Sequence, residues 1–238
     1  MPSAPPPAIQ PRVPEAVLGR FEGPHDAVWL VANNPRLLDW PLENLPIGPG
    51  SLLVQFNRAL CFERFADLDC HKDFLFTAVP GGYHGLAAPG EPERDLATQR
   101  RRRLRVGFLG GEPAAHEQRL AQRLSVDGWL STPFGTVVMR GYPRRLVASS
   151  GFVVAQIHLA LEAAREARGL PRRPVNLVGF TGYGPSAWSG HDWWGEQQAL
   201  RRGPGRLHAM AARAPLHRLR ALRWWLHHGL ALRHGRKA

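Results

Sequence analysis

Cysteine is almost absent from the chain: 238 residues contain two, Cys61 and Cys70. Two cysteines cannot build a disulfide framework, which points to a reducing compartment. Long apolar runs are missing too, and none approaches the roughly 18 residues that a membrane-spanning helix requires. The opening MPSAPPPAIQPRVP has no basic stretch followed by an apolar core, so a secretory signal is not expected there. No G-x-G-x-x-G and no Walker sequence occurs, which excludes the two commonest phosphate-binding loops. Nothing resembles G-x-S-x-G, so a serine nucleophile on an elbow is not expected. Acidic residues are few, 19 against 31 Lys and Arg, and the formal net charge is +12.

What is present is enough for a core. Hydrophobic residues make up 44% of the chain, which argues against a mainly disordered polypeptide, and one compact domain is the default at this length. The basic excess is almost all arginine and concentrates at Arg100 to Arg105 and in the last 40 residues. It reads either as a solvated surface or as attraction to anionic lipid, a phosphorylated substrate or nucleic acid. Composition divides the chain into a loose Pro-rich arm over 1–24, an α/β domain over 25–204 and a basic tail over 205–238. No internal repeat is evident.

Short apolar runs at 27–33, 51–57, 73–79, 104–110 and 174–180 predict buried strands. Residues 149–168 predict the clearest helix, capped by Ser149 or Ser150 and ended by Gly169, with Val153, Ile157, Leu161 and Ala164 on its apolar face. A second helix is expected over 114–124 and a third from about Asp192. The alternation implies a mostly parallel sheet with helices on both faces, and ligands bind such sheets at the carboxyl ends of the strands.

Polar punctuation falls at those ends. V-A-N-N-P-R (31–36) and V-Q-F-N-R (54–58) place Asn33 and Asn57 there. Each can hold a loop through side-chain-to-backbone bonds, or offer an amide to a ligand phosphate or ribose. Ser149, Ser150 and Gly151 open the long helix, where the choice is between simple capping and an anion site. The stretch G-F-T-G-Y-G-P-S-A-W-S-G-H-D-W-W-G-E-Q (179–197) leaves a strand end, crosses a Gly/Ser/aromatic loop and enters a helix. His191 is placed there to act as a general base, with Glu196 to orient its imidazole or stabilise its protonated form; the bland alternative is a surface loop stapled by tryptophans. Cys61, Cys70 and His71 match no common zinc spacing. Tyr83 and His84, after Gly81-Gly82, sit at another expected strand end.

In order, these pieces resemble the sialyltransferase-like glycosyltransferases, especially the small bacterial CMP-sialic acid transferases. A-N-N-P-R matches the first-strand loop, with Asn33 at its Asn. V-Q-F-N matches the end of the second strand, and Ser149-Ser150-Gly151 matches the S-S-G motif. Gly179-Phe180-Thr181-Gly182-Tyr183 matches a later strand-end turn, and His191 follows as the base. The resemblance spans roughly 27–200. It departs at Asn34 and Arg36, and a second phosphate-holding tyrosine is not obvious, Tyr142 or Tyr83 being the substitutes.

The resemblance implies a Rossmann-related sheet and an inverting transfer of a sialic acid or related 2-keto sugar acid from a CMP-sugar to a glycan or lipid-linked acceptor. His191 and Glu196 would be catalytic. Asn33, Asn57, Ser149, Ser150, Gly151, Thr181 and Tyr183 would bind the nucleotide. No cofactor or metal would be required, in keeping with the lack of a D-x-D sequence.

In the tail, Leu216, Leu219, Leu222, Leu226 and Leu230 fall on one arc of about 120°, with Trp224, Trp225 and many arginines beside it. This is the composition of an interfacial helix, or of a terminal helix docked on the domain. The expected location is cytoplasmic, with the tail as a peripheral attachment to an anionic inner leaflet. Two competing readings remain: a non-catalytic nucleic-acid or polyanion binder, although no specific nucleic-acid motif is present, and a catalytically dead scaffold of the same fold.

Overall fold

The computed structural model describes residues 9–34, 37, 40–57, 63–65, 67–79, 82–83, 104–110, 129–132, 137–180 and 191–208. In chain order these form β1 (Gln10–Arg12), α1 (Glu15–Phe21), β2 (Ala27–Val31), β3 (Ser51–Phe56), β4 (His71–Val79), β5 (Gly82–Tyr83), β6 (Leu104–Leu109), β7 (Trp129–Thr132), β8 (Val138–Arg140), α2 (Ser150–Ala167), β9 (Val175–Val178), α3 (Trp193–Arg202) and β10 (Arg206–His208). Short 3-10 turns lie at Leu42–Asn44 and Glu63–Phe65. The helix expected over 114–124 lies outside the described residues.

The five predicted strands, joined by β7 and β10, which the sequence reading did not expect, build one sheet in the order β10-β9-β2-β3-β4-β6-β7, with every neighbouring pair parallel; β5 folds back antiparallel on β4. β1 and β8 pair separately and antiparallel. From β2 the chain steps outward through β3, β4, β6 and β7, then returns to place β9 on the other side of β2. This reversal is a topological switch point, and open parallel sheets bind ligands outside the carboxyl ends of the strands at such a point.

Alternation along each strand assigns its residues to two cores. Val28 and Leu30 of β2, Leu52, Val54 and Phe56 of β3, and Val175 and Leu177 of β9 face a cluster that includes Val17 and Phe21 of α1, seven residues of α2 from Phe152 to Leu161, and Leu200 of α3. Trp29, Val31, Leu53 and Val178 face the other way, onto Leu37, Leu42 and Phe65. Helices on both faces were the expectation. Among the described residues all three α-helices contribute to the first core, and the second face is covered by 3-10 turns and extended chain. Pro41, Pro46 and Pro49 in the β2–β3 connection oppose a continuous helix there.

Two further boundaries differ from the sequence reading. Residues 1–24 are not wholly a loose arm: β1 pairs with β8, and α1 buries Val17 and Phe21. Prolines there precede the helix and leave its apolar face intact. Nor does a tail begin at 205. Arg206–His208 is an edge strand on β9, where the His208 imidazole packs against the Trp29 ring and its Nε2 lies 2.9 Å from Asn176 Oδ1. Residues 209–238, with the amphipathic pattern, lie outside the described residues.

Phe21 is fully buried and meets the His158 ring edge-on at 5.4 Å between centroids. Phe21→Ala should therefore lower unfolding free energy by about 3–5 kcal/mol. Urea denaturation checks this, and a loss below about 1 kcal/mol would mean that α1 is dispensable to the core.

Candidate functional site

The carboxyl edge of the sheet is finished by side chains. After β2, Ala32 N–H continues the ladder to Val178 O at 2.9 Å. The next two residues then diverge: Asn33 Nδ2 donates to Phe56 O at the end of β3 (2.7 Å), and Asn34 Nδ2 donates to Gly179 O beyond β9 (2.9 Å). Consecutive asparagines thus tie β2 to its neighbour on each side of the switch point. Gly179 adopts φ +74°, and a Cβ there would lie 2.6 Å from Leu37 Cδ1, so both the backbone and the packing require glycine.

Asn57 ends β3 in the left-handed region, φ 51°, which asparagine tolerates better than most residues. Its N–H still donates to Leu75 O (2.8 Å), and its Oδ1 accepts Thr77 N–H (2.9 Å), so the side chain extends the ladder after the backbone has turned away. The Thr77 hydroxyl meets Ser150 Oγ at 2.6 Å, which brings the start of α2 onto the end of β4. Thr77 was not among the residues singled out from the sequence; the signal was a lone hydroxyl near the carboxyl end of the apolar run D-F-L-F-T-A-V.

Helices α2 and α3 both begin at this edge. Ser149 caps α2 by accepting Phe152 N–H (3.2 Å), and Asp192 caps α3 by accepting Gly195 N–H (3.0 Å). Glu196, in the first turn of α3, crosses to α2: its Oε1 accepts Ser149 N–H (2.7 Å) and its Oε2 accepts the Ser149 hydroxyl (2.6 Å). Oε1 also accepts the Tyr142 hydroxyl at 2.8 Å. Tyr142 Oη in turn accepts Asp192 N–H (2.8 Å) and lies 3.1 Å from Val147 O, while its ring packs against Phe152. His191, half-buried and edge-on to Trp193, directs Nδ1 at that same Val147 carbonyl. A carbonyl only accepts, so Nδ1 carries the proton and Nε2 carries the lone pair of the neutral ring.

The expectation that Glu196 orients the imidazole is corrected: the Val147 carbonyl does so, and Glu196 instead holds the starts of the two helices together. Glu196 is 3% exposed. Burial raises it from its ordinary 4.5 to about 7, with Asp192 adding to the rise and the bonds from Ser149 and Tyr142 opposing it. Burial lowers the His191 imidazole, partly offset by the bond to Val147. Burial, and next Glu196, push the Tyr142 phenol up. As a substitute for a phosphate-holding tyrosine Tyr142 fits poorly, because its hydroxyl is engaged by Asp192, Glu196 and Val147.

Asn33, Asn57, Ser149, Ser150, Gly151, His191 and Glu196 therefore share one edge of the sheet. Thr181, Tyr183 and Cys61 lie outside the described residues, as does His84. Gly151 has a packing reason to be glycine, since a Cβ would sit 3.0 Å from the Phe180 ring. Cys70 is buried in the second core, and among the described residues no group of His, Cys, Asp and Glu is arranged to hold a metal. No helix among the described residues is long and apolar enough to cross a membrane. Comparison with protein-family models, with curated proteins and with solved structures gives no match.

The raised carboxyl gives a pH test. A folded-state value above the unfolded one stabilises the fold below about pH 4.5, and that contribution is lost as pH rises through about 7. Between pH 4 and pH 8 wild type should lose on the order of 3 kcal/mol relative to Glu196→Gln, whose side chain is of the same size and carries no charge at either pH. Urea unfolding of both proteins across this range checks it; parallel pH profiles would show that folding does not raise the Glu196 carboxyl.

Proposed function

We propose that the protein is an inverting glycosyltransferase that moves a sialic acid or a related 2-keto sugar acid from a CMP-sugar to a glycan or lipid-linked acceptor. The observation that carries this reading is the setting of His191: its Nδ1 is tethered to Val147 O, beside the N-terminus of α2, on the edge where parallel sheets bind ligands. In the neutral ring this fixes the basic nitrogen as Nε2, the arrangement a general base needs to take a proton from an acceptor hydroxyl. Ser150, Gly151 and the α2 dipole would face the nucleotide phosphate, with Asn57 toward the ribose. The sugar–phosphate bond breaks through an oxocarbenium-like transition state, and CMP leaves with the bonding electron pair. Backbone and hydroxyl donors stabilise the departing phosphate, so the chemistry needs no resident metal.

A panel of CMP-sialic acid, CMP-Kdo, UDP-sugars and GDP-sugars tests this by release of free nucleotide. CMP should appear from one of the CMP-sugars only. His191→Ala should bind CMP as wild type does and turn over about 10²–10⁴-fold more slowly. Release from none of the donors overturns the enzyme reading and leaves the dead scaffold or the polyanion binder. The latter rests on the net charge of +12. However, Arg64, Arg105, Arg165 and Arg173 are already in ion pairs with Glu43, Asp73 and Glu162. The case for a polyanion rests on the other arginines, Arg100–Arg103 and those of the C-terminal segment among them, and salt-dependent binding to an arbitrary duplex would reveal it.

We also propose that residues 209–238 attach the protein to an anionic membrane surface. Each basic residue near such a surface contributes about 1 kcal/mol, weakened by salt. The full chain should sediment with anionic vesicles at low salt, and a chain ending at His208, which keeps β10, should not. Equal sedimentation of the two would assign the segment to packing.

A further inference from the structure

The Tyr142 hydroxyl has one proton and two acceptors for it. Glu196 Oε1 lies at 2.8 Å and Val147 O at 3.1 Å, and the hydroxyl oxygen is already filled on one side by Asp192 N–H at 2.8 Å. Val147 O is also the acceptor for His191 Nδ1–H. One carbonyl thus stands between a tyrosine whose proton can turn and the histidine it orients. We propose that Tyr142 is a positioning residue that couples the charge on Glu196 to the tautomer of His191 through the Val147 carbonyl. The inference rests on the reading of His191 as the base.

A bond to an ionised acceptor is about twice as strong as one between neutral groups. With Glu196 ionised, the Tyr142 proton goes to Oε1, and Val147 O serves His191 alone. The imidazole is then held with its proton on Nδ1 and its lone pair on Nε2. With Glu196 protonated, Oε1 becomes a neutral acceptor no better than a backbone carbonyl, and the Tyr142 proton turns toward Val147 O. That oxygen now accepts two donors, its hold on Nδ1–H weakens, and the preference for the Nδ1–H tautomer relaxes. Solvent supplies the proton that Glu196 gains, the Tyr142 O–H only rotates, and the tautomer exchange at His191 releases a proton from Nδ1 to solvent and takes one up at Nε2, so the ring stays neutral.

Among the described residues, these groups surround the two titrating side chains. Asp192, on the same helix, caps α3 and disfavours the ionised Glu196. From α2 come Ser149 and the positive end of the helix, with no acidic residue in the first turn. The segment after β8 brings Tyr142 and Val147, and His191 has Trp193 at 4.8 Å between ring centroids. Glu196 titrates near 7 and the His191 imidazole below its ordinary 6.5, so Glu196 changes charge while the ring is still mostly neutral.

Long-range ¹H–¹⁵N spectra of the full chain, with His191 assigned by comparison with His191→Gln, read the tautomer directly. Spectra are taken from about pH 8.5 down to about pH 5.5, which spans histidine and raised carboxyl titration. The Nδ1–H form should dominate at the alkaline end and decline in a step near pH 7, before the ring itself protonates. Tyr142→Phe and Glu196→Gln should each abolish that step, with the other histidine resonances reporting that the variant is folded. A single protonation step in wild type overturns the proposal, even if neither variant folds. A step that survives in Tyr142→Phe overturns it as well, because the coupling would then be charge acting through space. No donor or acceptor is present in the tube, so these outcomes stand whether or not CMP-sugars are turned over; failure of the base role would show instead as wild-type turnover by His191→Ala.

Discussion

Helix α2 carries the chain back from β7 to β9, and each of its ends is held by a buried glutamate. Near its C-terminus Glu162, 1% exposed, accepts Arg173 N–H and Nε–H at 2.7 Å each; Arg173 also donates to Gly23 O at 2.8 Å, so α2, the lead into β9 and the lead into β2 are bound to one carboxylate. At the N-terminus Glu196 binds the Ser149 amide and hydroxyl. A buried charge without such partners costs several kcal/mol, so each glutamate constrains the backbone that satisfies it. The two differ in kind: Glu162 is matched by a guanidinium, whereas Glu196 has only a hydroxyl pair, one amide and the α2 dipole. Hence the carboxyl at the α2 N-terminus is the one that rises toward neutrality.

That asymmetry follows from what the two edges of the sheet do. Cations crowd the amino edge, where Arg105 forms a two-pronged pair with Asp73 at 2.8 and 2.7 Å and Arg173 pairs with Glu162. His25 and His158 are buried beside them; burial first, and then the neighbouring charges, lower both imidazoles and favour the neutral rings. On the carboxyl edge the described groups are amides, hydroxyls, the His191 imidazole, the Glu196 and Asp192 carboxyls and the starts of two helices. Overall charge therefore does not locate the site: arginines at the amino edge are already matched, while the edge suited to an anion presents partial positive charge from backbone N–H groups.

The sheet was legible because its strands are buried on both faces and read as short continuous apolar runs. Five of its strands and the start of α2 follow from such runs and from one serine cap. β10 was hidden because R-L-H is too short and polar to signal a strand; only its place against Asn176 and Trp29 makes it one. α1 was hidden by the prolines around it, although Val17, Leu18 and Phe21 carry a helical spacing. At the site, order along the chain led to the right edge, but not to who bonds whom. His191 and Glu196 are five residues apart, and proximity in sequence favoured a direct pair. The partner of Glu196 is instead Ser149, 47 residues away, and no local pattern encodes that.

The asparagines show why residue type alone underdetermines function. Asn33 and Asn34 use their amide N–H groups on Phe56 O and Gly179 O, and Asn57 uses its carbonyl on Thr77 N–H. The loop-holding role is thus real for all three. It does not compete with ligand binding in the same way at each. The Asn57 bond spends only the acceptor half of the carboxamide, and its Nδ2 has no partner among the described residues; it ends the strand next to β2, beside Thr77 and Ser150. Asn34 is buried, with its amide fixed on the Gly179 carbonyl beyond β9, and ties β2 to that neighbour. A ligand at this edge would therefore meet a floor already rigid before it arrives. Such a floor would reduce the ordering cost of binding.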